Sequence, residues 1–203
     1  MALRRGVIDA SVLYAEPVRS LVLWVAAGGS FTPVWTQRIL DEARVNLIAQ
    51  RVLTTERWDR LYDAMCEAFP NALIDQAAVD ALAPRMPNDE KDRHVLAAAV
   101  VGGADVVVTS NLRHFQRSDL EPLGKRALSP DEMLCEALAV APSSVVAAIR
   151  LQANVMRKPR QWTEAELLGL FAGLGRGDPA LPAFATAAAR VMRVEPVPPP
   201  EAR

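Results

Sequence analysis

The chain is poor in the side chains that hold soft metals or form covalent bridges. It has two cysteines and two histidines in 203 residues. Cys66 and Cys135 stand singly, with no CxxC spacing, which argues against a zinc site and fits a reduced, cytoplasmic protein. Long apolar runs are missing as well: none approaches the roughly 18 residues that a membrane span needs. Near the start, Arg4 and Arg5 precede an apolar segment that Asp9 interrupts at once, so a signal peptide is not expected. Charge of one sign is also lacking, with 23 Lys plus Arg against 24 Asp plus Glu. Overall charge therefore gives no nucleic-acid signal, and any such reading must rest on local clusters. Only three of the cations are lysines. The arginines that remain are better suited to forked contacts with phosphate or carboxylate.

What is present begins with a short apolar strand, Gly6-Val7-Ile8, that delivers Asp9 to its carboxyl end. Ligands of α/β sheets gather beyond such ends. A helix N-cap or turn acid is the plainer reading of the same residue. A helix over about 17–27 stops at Gly28-Gly29, and a second covers about 35–52. In the second, Ile39, Leu40, Ala43 and Leu47 form an apolar stripe, Glu42 lies beside it and Asp41 further round. Glu42 is thus the inward candidate, although an exposed helix acid is the ordinary case. A third helix over about 54–69 ends at Pro70, Leu73-Ile74 reads as a brief strand, and 77–82 as a short helix.

The stretch Asn88–Phe115, NDEKDRHVLAAAVVGGADVVVTSNLRHF, reads as an acidic helix start, an alanine-rich helix, a glycine pair, a strand and a polar exit. Advancing about 100° per residue from Asp92 puts Val95, Leu96, Ala99 and Gly103 on its face, with Asp89 at the edge and Glu90, Lys91 and His94 pointing elsewhere. Asp92 is either a carboxylate on the inward face or an acid supporting a helix cap. Asp105 to Val108 is short and β-branched, as in a strand buried on both faces, and it exits through Thr109, Ser110 and Asn111. After about Leu128 strand candidates cease. Helix starts appear at Ser129-Pro130, Thr163-Glu164 and Asp178-Pro179, with a further helix over 143–156. Arg150, Arg157, Lys158 and Arg160 form a basic cluster there, a phosphate contact or a solvated helix end. The expected organisation is an α/β domain over 1–128, an all-helical domain over 129–193, and an extended, unpacked tail over 194–203.

In a parallel sheet, Asp9, Asp92 and Asn111 fall on one edge, and Glu42 can reach it. Carboxylates converging there raise one another's pKa unless a cation sits among them, and hard oxygen donors select Mg²⁺ or Mn²⁺. Such an ion makes phosphodiester hydrolysis the natural chemistry.

The segments VIDASVLY around Asp9, ILDEARVNL around Glu42 and the Asn88–Phe115 stretch, with Thr109 beside Asn111, resemble the PIN-domain family over about residues 5–128. The resemblance implies a three-layer α/β/α sandwich on a parallel sheet and a Mg²⁺- or Mn²⁺-dependent ribonuclease whose acids map onto Asp9, Glu42 and Asp92. The family's fourth position is usually Asp; here it is Asn111, which can coordinate only through its carbonyl oxygen, with Asp89 one turn before Asp92 as a substitute charge. The single unit and its helical extension look like the VapC-type toxin of a bacterial toxin–antitoxin pair. That implies cleavage of a structured RNA such as tRNA or rRNA, inhibition of translation, a small antitoxin partner and homodimers. On this reading Asp9, Asp92 and Asn111 hold the metal, Glu42 handles the attacking water, and Arg93 and Arg113, with Arg157 and Lys158 further off, contact RNA. A PIN module that binds RNA or protein without cutting is the alternative, motivated by Asn111. A phosphatase of the haloacid-dehalogenase sort would need an acid where Ser11 stands.

Overall fold

The computed structural model describes residues 4–156, 162–173 and 180–198. By its internal contacts the chain forms two compact units. One holds Met1–Arg19 with Phe31–Ser129, and the other holds Ser20–Ser30 with Pro130–Arg203. The segment Ser20–Ser30, read from the sequence as part of the first domain, thus groups with the C-terminal helices.

The first unit is built on a four-stranded, all-parallel sheet of β1 (Arg4–Ile8), β2 (Phe31–Val34), β3 (Val106–Val108) and β4 (Arg126–Leu128) in the order β2-β1-β3-β4. β1 and β3 are the two expected strands, and they take the centre because every residue of Val7-Ile8 and Val106–Val108 is buried. Each such Val or Ile contributes about 1.5–3 kcal/mol relative to exposure. The flanking strands β2 and β4 were not foreseen. Pro33 sits inside β2, and central strands exclude proline because it cannot donate to a ladder; here β2 is an edge strand. β4 is three half-buried residues, Arg126-Ala127-Leu128, with no periodicity to read. The expected strand at Leu73-Ile74 is reduced to a single parallel bridge between Trp35 and Leu73.

Short helix α1 (Ala10–Leu13) follows β1 directly, and α3 (Gln37–Ala49), α4 (Thr55–Ala68), α5 (Gln76–Leu82) and α6 (Arg93–Val101) separate β2 from β3. Helix α2 (Val18–Ala27) begins in the first unit and from Ser20 belongs to the second. α6 packs on β1 and β3, where its alanines, Ala97 to Ala99, are fully buried. The glycine pair stops it by two bonds, Gly103 N–H to Val100 O and Ala104 N–H to Ala99 O, with Gly103 at φ 61°. At Gly102 a Cβ would lie 2.5 Å from Ile74 Cδ1 and 2.9 Å from Ala98 O, so a larger residue would force Ile74 to move. α7 (Arg117–Leu120) leads into β4.

The second unit's helices are α8 (Pro130–Val140), α9 (Pro142–Val155), α10 (Glu164–Phe171) and α11 (Pro182–Met192). A full capping box, Thr163 with Glu166, starts α10 as the sequence indicates. α11 begins at Pro182, not at Asp178-Pro179, which lie outside the described residues. The tail is also different from expectation at its start. Val197 N–H donates to Ala165 O at 3.1 Å. The bare Cα of Gly169 admits it, for a Cβ there would meet Val197 O at 1.8 Å. Residues Arg157, Lys158 and Arg160 of the basic cluster lie outside the described residues.

Candidate active site

β1 and β3 are neighbours in register, so Asp9 and Thr109, the residues after each strand, emerge side by side. Asp9 N–H continues the ladder to Val108 O at 3.0 Å. The Asp9 side chain is 3% exposed. Its Oδ2 accepts from Ser11 Oγ at 2.6 Å and from Thr109 Oγ1 at 2.7 Å. Those hydroxyls are in turn held by backbone donors, Ser110 N–H to Ser11 Oγ and Asn111 N–H to Thr109 Oγ1, both 3.0 Å. Burial raises the Asp9 pKa against the lowering effect of those two bonds, and the charge of Asp92 pushes it further up. The Asp9 side chain caps no helix, although Asp9 precedes α1.

Asp92 is brought in differently. Residues Glu90–Asp92 form a 3₁₀ turn, and Asp92 occupies the N-cap of α6 without making a capping bond. Capping falls to Asp89, whose Oδ1 accepts from Lys91 N–H at 3.1 Å. The Asp92 carboxylate points instead to His114, with Oδ2 2.5 Å from Nδ1. His114 Nε2 accepts from Arg113 Nε at 3.0 Å, which leaves Nδ1 to face Asp92. Asp89, Asp92 and His114 each offer a ligand atom within 4.8 Å of the others.

Glu42 on α3 is 38% exposed at its side chain, while Asp41 is turned to solvent, as the helical wheel indicates. Arg38 Nε approaches Glu42 Oε1 at 3.1 Å from the outer side, and His94 Nε2 lies 3.2 Å from Oε2. Burial works to raise the Glu42 carboxyl, but His94 and Arg38 outweigh it and hold the group below its usual pKa. A hollow of about 530 Å³ adjoins Glu42, lined by Arg38, Asp41, Asn46, Gln76 and Asp80 among others.

His94 corrects the wheel. It was placed away from the Asp92 face, yet it is 2% exposed, beside Glu42 and close enough for its charge to act on Asp9. The wheel fails because α6 is covered on every side here: His94 to Ala99 are all buried, so no outward face exists for His94 to take. Both ring nitrogens of His94, and both side-chain polar atoms of the 3%-exposed Asn88, make no hydrogen bond. Sequence reasoning also passed over His114 and Ser11. The signal available was that the chain's two histidines flank the same acids, at 94 and 114. Asn111, half-buried, precedes the 3₁₀ turn Leu112–His114 and makes no side-chain capping bond. Arg93 Nε donates to Asn88 O at 3.4 Å, and Arg113 is exposed.

Among known proteins, the profile of the family described as PIN domain matches residues 5–113. The chain is 36% identical over 115 residues to "Putative ribonuclease VapC50" of Mycobacterium tuberculosis. That alignment covers 54% of this chain and 66% of the relative, so the chain spans just under two thirds of the relative's length. No solved structure matches the chain. The parallel sheet, with Asp9 at the end of β1, agrees with the profile: the chain belongs to the PIN-domain family.

Proposed function

We propose that the protein is a divalent-metal-dependent endoribonuclease that acts as the toxin of a toxin–antitoxin pair. One observation carries this reading. A carboxylate buried to 3% exposure, Asp9, lies within the field of a second, Asp92; burial first, and that charge in addition, raise its pKa. Like charges held together at a sheet edge need a cation to be stable when ionised.

The donors present fit a hard cation. Asp9, Asp92 and the carbonyl oxygen of Asn111 would hold Mg²⁺ or Mn²⁺, and Asp89 would add the charge that Asn111 lacks. His114 would add a nitrogen beside Asp89 and Asp92 once a bound ion displaced its hydrogen bond, a donor that favours Mn²⁺ over Mg²⁺. When bound, such an ion stabilises charge on the phosphodiester and acidifies water. Glu42, held below its usual pKa, is the ionised base placed to receive a proton from the attacking water. Ser11 and Thr109 keep one Asp9 oxygen fixed, which orients the other. Arg93 and Arg113, next to Asp92 and His114 in sequence, would supply cations for phosphate; Arg157 and Lys158 are proposed as further RNA contacts.

Structured RNA, tRNA or rRNA, is the proposed substrate, with arrest of translation as the outcome. A small antitoxin and a second copy of the chain are the proposed partners. No helix among the described residues is long and apolar enough to cross a membrane. The reading is tested by incubating purified protein with total bacterial RNA and Mn²⁺, with and without EDTA. Asp92→Asn should fold normally and leave the RNA intact; undiminished cleavage by that variant refutes the assignment. Asn111 at the fourth position favours one other reading, a PIN module that binds without cutting. Absence of Mn²⁺ binding in titration calorimetry at millimolar metal would select it.

A further inference from the structure

Two side chains approach the carboxylate of Glu42 from opposite sides, and only one belongs to the surface. Arg38, 48% exposed, sits one helical turn away on α3 and approaches Oε1 at 3.1 Å. His94, 2% exposed, comes from α6 and stands 3.2 Å from Oε2. An exposed Arg–Glu pair at i,i+4 is worth only about 0.3–0.5 kcal/mol and leaves a long side chain free to swing. The contact from His94 is different in kind, because it is shielded from water and comes from the helix that Asp92 opens.

Apart from Glu42 the imidazole has no close polar partner among the described residues. Neither Nδ1 nor Nε2 makes a hydrogen bond of normal geometry, although both are buried. A buried polar group left in this way is costly, and an apolar residue of similar size would avoid that cost. Such an orphan calls for a functional explanation. The one polar group it is known to face at short range is the Glu42 carboxylate, with the Asp9 charge also within its field.

We propose that His94 is a positioning residue: it fixes Glu42 from the buried side and turns its carboxylate toward Asp9 and Asp92, while Arg38 only screens the outer oxygen. This rests on the nuclease reading above. The Nε2–H bond to Oε2 closes by a small rotation of the carboxylate, since the separation is already within reach and only the angle is off. Partners of this kind, which orient a group that acts at a metal, alter metal affinity or activity by about 10–100-fold when removed.

The test compares wild type, His94→Ala, His94→Gln, Glu42→Ala and the double variant His94→Ala/Glu42→Ala, by single-turnover cleavage of purified total tRNA and rRNA in Mn²⁺. Melting temperature is measured in parallel. His94→Ala should lower the maximal rate by about 10–100-fold with little change in the RNA concentration for half-saturation. His94→Gln, whose amide nitrogen can reach Oε2, should recover most of that loss. The double variant should be no slower than Glu42→Ala, because the histidine acts only through the glutamate. Rates for His94→Ala equal to wild type, or additive losses in the double variant, overturn the proposal. If His94→Ala does not fold, His94→Gln and Glu42→Ala/His94→Gln decide by the same additivity rule. A wild type that neither cuts RNA nor binds Mn²⁺ overturns the nuclease reading and this role with it. A wild type that cuts while His94→Ala cuts equally well overturns the positioning role alone.

Discussion

Two acids at helix starts of the C-terminal unit are used differently from two acids in the α/β unit. Asp131 and Glu166 are both bound to backbone N–H groups. Asp131 accepts from Ala183 N–H at 3.1 Å and from Phe184 N–H at 2.8 Å, and Glu166 closes the box at the start of α10. In the α/β unit, Asp92 stands at the N-cap of α6 and caps nothing; Asp89 does that work while Asp92 faces His114. Asp9 likewise precedes a helix without capping it and is gripped by two hydroxyls. The difference separates acids that stabilise a fold from acids kept available for chemistry. Side chains of the second sort cost stability, which is how active sites are commonly recognised.

The largest expected contrast is between Asp92→Asn and Asp131→Asn. The first should reduce metal-dependent RNA cleavage to background while the melting temperature stays within a few degrees. The second should leave cleavage near wild type. A cleavage loss shared by both would erase the distinction. Next, Glu166→Ala should lower stability by about 1 kcal/mol, the usual worth of a cap, read as a shift in the urea midpoint. No shift would mean that the box is ornamental.

Asp9 gives the opposite sign. Its folded pKa lies above the unfolded value, so the folded state binds the proton more tightly. Stability contributed by this group is present at low pH and declines as pH rises from the ordinary carboxylate range through the raised folded pKa. In EDTA, Asp9→Asn should therefore be at least as stable as wild type at pH 7, and this component of the pH slope should vanish. A variant distinctly less stable at pH 7 would show that the carboxylate serves the fold. The smallest effect is expected from Arg38→Ala, a cleavage change of a few fold at most, because its contact with Glu42 is exposed and screened by salt.

Much of this was legible in the chain because periodicity reports burial. Ile39, Leu40, Ala43 and Leu47 marked the buried side of α3 and thereby ranked Glu42 above Asp41. The β-branched run at 106–108 and the alanines of α6 revealed the centre of the sheet. Edge strands gave no such signal: Phe31–Val34 carries a proline, and Arg126–Leu128 is too short to show a pattern. His94 was misplaced because α6 is buried over six consecutive residues, so a wheel that assumes one outward face misassigns it. His114 required the tertiary approach of the β3 exit to the start of α6. The tail's docking on α10 turned on Gly169, a residue that looks like an ordinary helical defect until the Val197 backbone beside it is seen.

The central claim is that carboxylates separated along the sequence form one cation-holding group. Titration calorimetry with Mn²⁺ on wild type, Asp9→Asn and Asp92→Asn tests it most directly. The account predicts saturable binding by the wild type at millimolar metal or below, and marked weakening in each variant. Equal binding by all three proteins would contradict it.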